Sequence, residues 1–168
     1  TMGQQQLLLL VLGIVIVGIA ILVGINAYSE NSVKTNWDSL LQDALRIAND
    51  AQSWKAKPEL FGGSDDATKD DEDDFVGANF LQLAYAPTLV SGTGGICYQN
   101  VNGLYKLTAA TTGLTIEGQN ASNQNQVTIE VTGNLEDDVE LIWTGAASLR
   151  GGADSAGVGQ TFSPLSGC

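Results

Sequence analysis

Acidic side chains are concentrated in one short stretch that could bind a metal ion. Within residues 65–74, seven of ten positions are Asp or Glu. Hard cations such as calcium take several carboxylate oxygens, so Asp70, Asp71, Asp73 and Asp74 form a candidate calcium site. The stretch lacks the alternating Asp spacing of an EF-hand loop, and a block of adjacent acids is also typical of a solvated loop. Both interpretations place it on the surface.

The second group of residues that could do chemistry is the cysteine pair, Cys97 and Cys168. Two thiols are too few for a four-thiolate zinc site or an iron–sulfur cluster within one chain. They suffice for one disulfide, which would tie down the C-terminal residue and close a loop of about 70 residues. Such a bond would stabilise the fold by about 4 kcal/mol and indicates an oxidising compartment. Two free thiols or an intermolecular bond are the alternatives.

The composition argues against catalysis and against nucleic-acid binding. The chain of 168 residues contains no His and carries a formal net charge of −12. It therefore lacks the usual general base near neutral pH and the commonest metal ligand. A strongly acidic chain also offers no cationic surface to a phosphate backbone. We predict no catalytic residue, no cofactor and no direct nucleic-acid partner, so the protein is not expected to be an enzyme.

The elements that must position these groups begin with an apolar segment. Residues 7–25 are 19 consecutive positions without a polar or charged side chain, enough to cross nearly 30 Å of hydrocarbon as a helix. The segment is longer than the apolar region of a signal peptide, and no basic residue precedes it. Because the chain starts at Thr1 instead of Met, we expect that a leader has been removed. A plain single-pass anchor is the alternative interpretation.

The helical pattern continues beyond the apolar segment. Apolar residues recur at steps of four and three, which is the spacing of one helix face. We expect this stripe to pack on a sheet; it consists of Val33, Trp37, Leu40, Ala44, Ile47, Ala51 and Trp54. No Pro occurs before Pro58, which should end the helix. The prediction is one helix of about 50 residues, apolar over 1–29 and amphipathic over 30–57.

A connecting loop and a sheet should complete the fold. Residues 58–95 form the predicted acidic connecting loop, with a short helix around residues 79–83. From residue 96 onward, short β-branched and aromatic segments alternate with turn signals, which indicates antiparallel hairpins. We predict roughly four strands, at 104–108, 114–117, 127–131 and 139–143, followed by a C-terminal loop that ends at residue 168. The predicted class is α+β.

This order of elements resembles the type IV pilin family, including the pseudopilins of type II secretion. The apolar run that begins at Leu7 and the pair Cys97 and Cys168 carry the resemblance. It implies a structural subunit of an extracellular, cell-surface filament, made from a precursor in the inner membrane. The implied partners are identical subunits in a helical homopolymer, the prepilin peptidase and the pilus assembly machinery. Adhesion, motility, DNA uptake and secretion are the functions that such filaments serve.

The resemblance also implies which residues assemble the filament. They occupy the first part of the helix: Gln5, Leu7, Leu8, Leu9, Leu10, Gly13, Val15 and Gly18. The family commonly has Phe first and Glu fifth, whereas this chain has Thr1 and Gln5. Gln5 accepts a hydrogen bond but cannot neutralise a neighbouring ammonium group. The alternative function is a membrane-anchored, extracytoplasmic binding or adhesin domain that does not polymerise.

Overall fold

One continuous helix forms the N-terminal third of the protein. The computed structural model describes residues 2–63, 75–146 and 165–168. Helix α1 spans Met2–Ala56, a length of about 80 Å at 1.5 Å per residue. It stops just before Pro58 because proline disfavours helical backbone in the residue that precedes it. The prediction of one long N-terminal helix is confirmed.

The described residues of the connecting loop that precede Val90 form turns, and the predicted loop then continues into the first strand of the sheet, Val90–Ser91. A 3-10 turn at Glu59–Phe61 follows α1, and another at Pro87–Leu89 precedes the sheet. Residues 79–83 form a turn instead of the short helix expected there. The Asn79 side chain accepts a hydrogen bond from the Gln82 amide, and Ala84 adopts a φ of 62°. A left-handed residue at this point prevents further helical turns.

A six-stranded antiparallel sheet follows, with its strands in sequence order from β1 to β6. The strands are β1 (Val90–Ser91), β2 (Cys97–Gln99), β3 (Leu104–Ala110), β4 (Gly113–Asn120), β5 (Asn125–Val131) and β6 (Val139–Ala146). The predicted number of four is therefore wrong, although the four predicted segments correspond to β3–β6. Strands β1 and β2 contain two and three residues, which is too short for an alternating pattern to show in the sequence.

The hydrophobic core lies between one face of the sheet and the second half of α1. The helix packs mainly against β5 and β4, whose alternate residues, including Ile116 and Ile129, are fully buried. Residues 75–85 cover the sheet beside β2 and β3, where the Phe80 ring contacts the Tyr98 ring. This single buried face explains why the strands alternate between apolar and polar residues.

Candidate assembly surface

The first half of α1 exposes apolar side chains on all sides. Between Leu7 and Ile25, the large apolar side chains are 50–67% exposed. By length and composition this half can cross a membrane. A signal sequence meets the same criterion, but here the same helix continues into the protein core. An apolar surface of this extent is unfavourable in water, so it requires lipid or other apolar helices around it.

All eight residues predicted for filament assembly lie in this exposed half. Gln5, Leu7, Leu8, Leu9, Leu10, Gly13, Val15 and Gly18 are each exposed. A Cβ atom built on Gly13, Gly18 or Gly24 meets nothing within 4 Å among the described residues. The three glycines therefore leave the helix backbone accessible, which is what close packing of a second helix needs.

The amphipathic stripe lies against the sheet. Leu40, Ala44, Ile47, Ala51 and Trp54 are buried in the core, with exposed fractions of 0–4%. Trp37 packs against this core from its edge, and Val33 is half-buried. The same helix thus changes from apolar residues exposed on all sides, which end at Ile25, to a one-sided stripe whose first fully buried residue is Leu40.

A cluster of polar side chains joins α1 to the hairpin turns of the sheet, and we call it the polar junction. It comprises Asn36, Asp43, Asn100, Asn102, Tyr105, Asn120 and Asn125. Its centre is the Asp43 carboxylate, whose Oδ2 atom accepts three hydrogen bonds. The donors are the Asn102 amide at 2.7 Å, the Asn100 amide at 2.8 Å and the Tyr105 hydroxyl at 2.9 Å.

These hydrogen bonds change the ionisation of the groups that make them. Partial burial raises the pKa of Asp43, but the donated hydrogen bonds and the nearby Arg46 charge outweigh it and hold the pKa below its ordinary value. Burial, followed by the hydrogen bond to Asp43 and its charge, raises the pKa of Tyr105. Asp43 is therefore held as a carboxylate and Tyr105 as a neutral hydroxyl, as their hydrogen bond requires.

The part of the polar junction nearest the apolar half of α1 fixes the point at which α1 leaves the sheet. The buried Asn125 amide donates to the Val33 carbonyl at 2.9 Å and to Asn36 Oδ1 at 2.8 Å. Asn36 in turn donates to the Asn102 carbonyl at 3.2 Å. Because hydrogen bonds are directional, this arrangement fixes the rotation and height of the sheet relative to the helix.

Sequence reasoning missed the polar junction. In the sequence, Asp43 falls between the apolar positions of the stripe, on the polar face of α1, where a solvated carboxylate is the ordinary expectation. The available signal was the density of amides in two turns, at residues 100–102 and 120–125. Asn side chains commonly form hydrogen bonds to the local backbone in turns. Their additional hydrogen bonds to α1 are therefore visible only in the three-dimensional structure.

The two cysteines form the predicted disulfide. Cys97 and Cys168 are bonded, with a Cα–Cα distance of 5.8 Å and a sequence separation of 71. A second contact holds the same C-terminal end, because the Leu165 amide donates to Gln119 Oε1 at 3.1 Å. The C-terminal residues are thus fastened to the sheet at β2 and β4.

The candidate calcium ligands Asp70, Asp71, Asp73 and Asp74 lie outside the described residues. In the part of the chain that the structure describes, no three His, Cys, Asp or Glu side chains are grouped so that they could hold a metal ion. The calcium site therefore stays a prediction from the sequence.

Comparison with known proteins returned no family model, no curated protein and no solved structure that matches this chain. The arrangement itself, a long apolar helix followed by an antiparallel sheet, is pilin-like. The second half of α1 and the sheet enclose a common core, and the disulfide fastens the C-terminal end, whereas the apolar first half of α1 is exposed.

Proposed function

We propose that this chain is the structural subunit of a type IV pilus-like filament, which polymerises through the first half of α1. The observation that carries the proposal is the exposure of every large apolar side chain from Leu7 to Ile25. In a membrane, lipid surrounds this half. In a filament, the same half of neighbouring subunits replaces the lipid, because one apolar surface suits both environments.

The continuity of α1 supports polymerisation over simple anchoring. A helix that only anchors a domain can be joined to it by a flexible linker. Here the apolar half and the buried stripe belong to one element, Met2–Ala56, and the polar junction fixes its exit from the sheet. A rigid stalk of this kind places the folded body at a constant position relative to the helix, as a regular helical polymer requires.

The experiment is electron microscopy of the fraction sheared from the surface of cells that produce the full chain. Filaments that disappear when the gene is deleted and return on complementation are expected. A membrane-anchored binding domain that does not polymerise predicts a different result. In that case the chain stays in the membrane fraction at any expression level, and no filament depends on it.

A further inference from the structure

Strand β5 runs alongside α1, so positions on the sheet can be measured along the helix. At one end of the strand, the Asn125 amide donates to the Val33 carbonyl. Near the other end, the Gln52 amide donates to the Gly133 carbonyl at 2.9 Å. The eight steps from Asn125 to Gly133 span about 26 Å as a strand, and the 19 steps from Val33 to Gln52 span about 28 Å as a helix. Strand and helix are therefore nearly parallel.

This geometry sets the height of the β4–β5 turn, residues 121–124, above a membrane. Val33 lies eight residues beyond Ile25, or about 12 Å past the end of the apolar segment. The turn continues beyond the last paired residues, Asn120 and Asn125, and points back toward the apolar half. A four-residue turn extends by about two residues, or roughly 5–7 Å. Its tip therefore lies about 5–7 Å above the hydrocarbon, within a headgroup layer about 5–7 Å thick.

The turns at this end of the sheet carry no charge. The β4–β5 turn reads Ala-Ser-Asn-Gln, and the β2–β3 turn, residues 100–103, reads Asn-Val-Asn-Gly. Val101 in the latter is 97% exposed. At the opposite end, the loop between β5 and β6 contains three consecutive acids at residues 136–138. Acids are thus absent from the turns nearest the membrane, where the negative charge of anionic lipid headgroups would repel them.

The β4–β5 turn is held rigidly in this position. Asn120 Oδ1 accepts hydrogen bonds from the amides of Ser122 and Asn123. The Asn120 side chain also donates to the Asn102 carbonyl at 2.7 Å, which joins the two membrane-facing turns. A tilt of about 20°, usual for membrane helices, shortens the 12 Å along the helix by less than 1 Å. Because the sheet lies about 10 Å to the side of the helix axis, the same tilt also raises or lowers the turn by about 3 Å, depending on its direction. The turn keeps its position relative to α1 as long as the polar junction is intact.

From these observations we infer that the β4–β5 turn binds the phospholipid headgroup layer while the chain is in the membrane. The exposed hydroxyl of Ser122 and amide of Gln124 supply donors for phosphate and ester oxygens of the lipids. This inference rests on the membrane-inserted precursor of the proposed function. It adds a second membrane contact, made by the folded body, to the one made by α1.

The test measures depth with a fluorophore in the full chain reconstituted into vesicles of phosphatidylcholine and phosphatidylglycerol. Ser122→Cys carries the dye at the β4–β5 turn. Thr111→Cys, in the uncharged β3–β4 turn at the opposite end of the sheet, is the matched control. Ile16→Cys reports insertion of α1. Labelling without reductant leaves the Cys97–Cys168 disulfide intact, so that each variant has one free thiol.

Nitroxide on the lipid headgroup is expected to quench the dye at position 122 several-fold more than the dye at position 111. This ratio should not change when the protein is diluted in lipid. Equal quenching at 122 and 111, with position 16 quenched by nitroxide on the acyl chains, would overturn the inference and leave the filament proposal standing. If quenching at position 122 appears only at high protein density, the position of the turn depends on contact with a neighbouring copy of the chain. That result would also overturn the inference. Loss of quenching at position 16 would overturn the inference together with membrane insertion.

Discussion

Asp43 is the residue that links the helix to the sheet most directly. Its carboxylate accepts hydrogen bonds from Asn100, Asn102 and Tyr105, which belong to β3 and to the turn before it. Hydrogen bonds to a charged acceptor are each stronger than those between neutral groups. Because all three donors converge on this one carboxylate oxygen, a change at this one position should loosen the whole junction.

Asp43→Asn should lower the free energy of unfolding by about 1–3 kcal/mol, because the amide oxygen that takes the place of Oδ2 is uncharged and makes weaker hydrogen bonds with the three donors. The measurement is urea unfolding of the detergent-solubilised full chain at neutral pH. Asp38→Asn, an exposed position on the same helix, is the control. Equal stability of the two variants would show that the negative charge of Asp43 contributes nothing to the junction.

The stability of the protein should also depend on pH through Asp43. Its pKa is lower in the folded protein than the ordinary value of 3.8. A carboxylate with a lowered pKa contributes stability that is complete above the ordinary pKa and is lost as the pH falls through the folded value. As the pH falls, the wild type should therefore lose a part of its stability that the Asp43→Asn variant does not have to lose. Parallel stability curves for the two proteins below pH 4 would refute this assignment.

Cys168→Ser should lower the free energy of unfolding by about 4 kcal/mol, since the native bond closes a segment with a sequence separation of 71 and restricts the unfolded chain. Thermal unfolding measures the change. Reduction of the wild-type protein is the control and should give the same loss. If reduction leaves the midpoint unchanged, the disulfide does not stabilise the body.

At the residue scale, the sequence predicted those contacts that follow from the residue types alone. The Cys97–Cys168 bond followed from a count of two thiols. The role of Asp43 did not, because the residues that bind it lie 57–62 positions away in the sequence. The sequence spacing of a polar residue on a helix face is the same whether the side chain faces water or a set of hydrogen-bond donors.

Among the elements, α1 combines two environments in one helix. Its second half is held by a stripe in which Ile47 is 1% exposed, whereas Leu45 on the same helix is 40% exposed. Ile47→Ala should lower the free energy of unfolding by about 2–5 kcal/mol through the cavity it leaves. Leu45→Ala is the control and should cost much less. Denaturant unfolding of both variants tests whether the stripe, and not helix propensity, holds α1 to the sheet.

A substitution in the first half of α1 tests whether this half is buried during filament assembly. Val15→Asp places a charge in the apolar segment, which should cost several kcal/mol per subunit whether lipid or other helices surround it. We expect filament yield to fall sharply, with the disulfide-bonded body still folded. Val15→Leu keeps the position apolar and should assemble normally. Normal yield from Val15→Asp, measured by microscopy and by the sheared protein fraction, would contradict burial of this half.

Long elements were predictable from the sequence and short ones were not. The absence of Pro before Pro58 and the 3–4 spacing of the stripe gave the extent of α1. Strands β3–β6 have seven or eight residues each, enough for alternation to show. Strand β2 pairs with the edge of β3, and β1 pairs in turn with β2, which is a tertiary effect that local sequence does not encode.

Over the whole molecule, charge is separated from the apolar surface. The first charged residue is Glu30, and the net charge is −12. Assembled subunits would therefore present a strongly negative exterior around an uncharged interior. Repulsion between such surfaces extends about 8 Å at physiological salt and weakens as ionic strength rises.

Filaments should for this reason bundle more readily as salt or divalent cation concentration increases. The acidic stretch at residues 65–74 is expected to control the effect, so a variant with Asp70, Asp71, Asp73 and Asp74 changed to Asn should bundle at lower salt. Light scattering of purified filaments across a salt series measures this. Identical curves for wild type and variant would show that the stretch does not govern lateral association.

The central claim is that the chain polymerises through α1, and the protein composition of isolated filaments tests it most directly. Filaments sheared from producing cells are purified and their proteins are quantified by mass spectrometry. The account predicts that this chain makes up nearly all of the filament mass, with the segment from Leu7 to Ile25 protected from protease until the filament is dissociated by detergent. Filaments composed of other proteins, with this chain recovered only from the membrane fraction, would contradict the account.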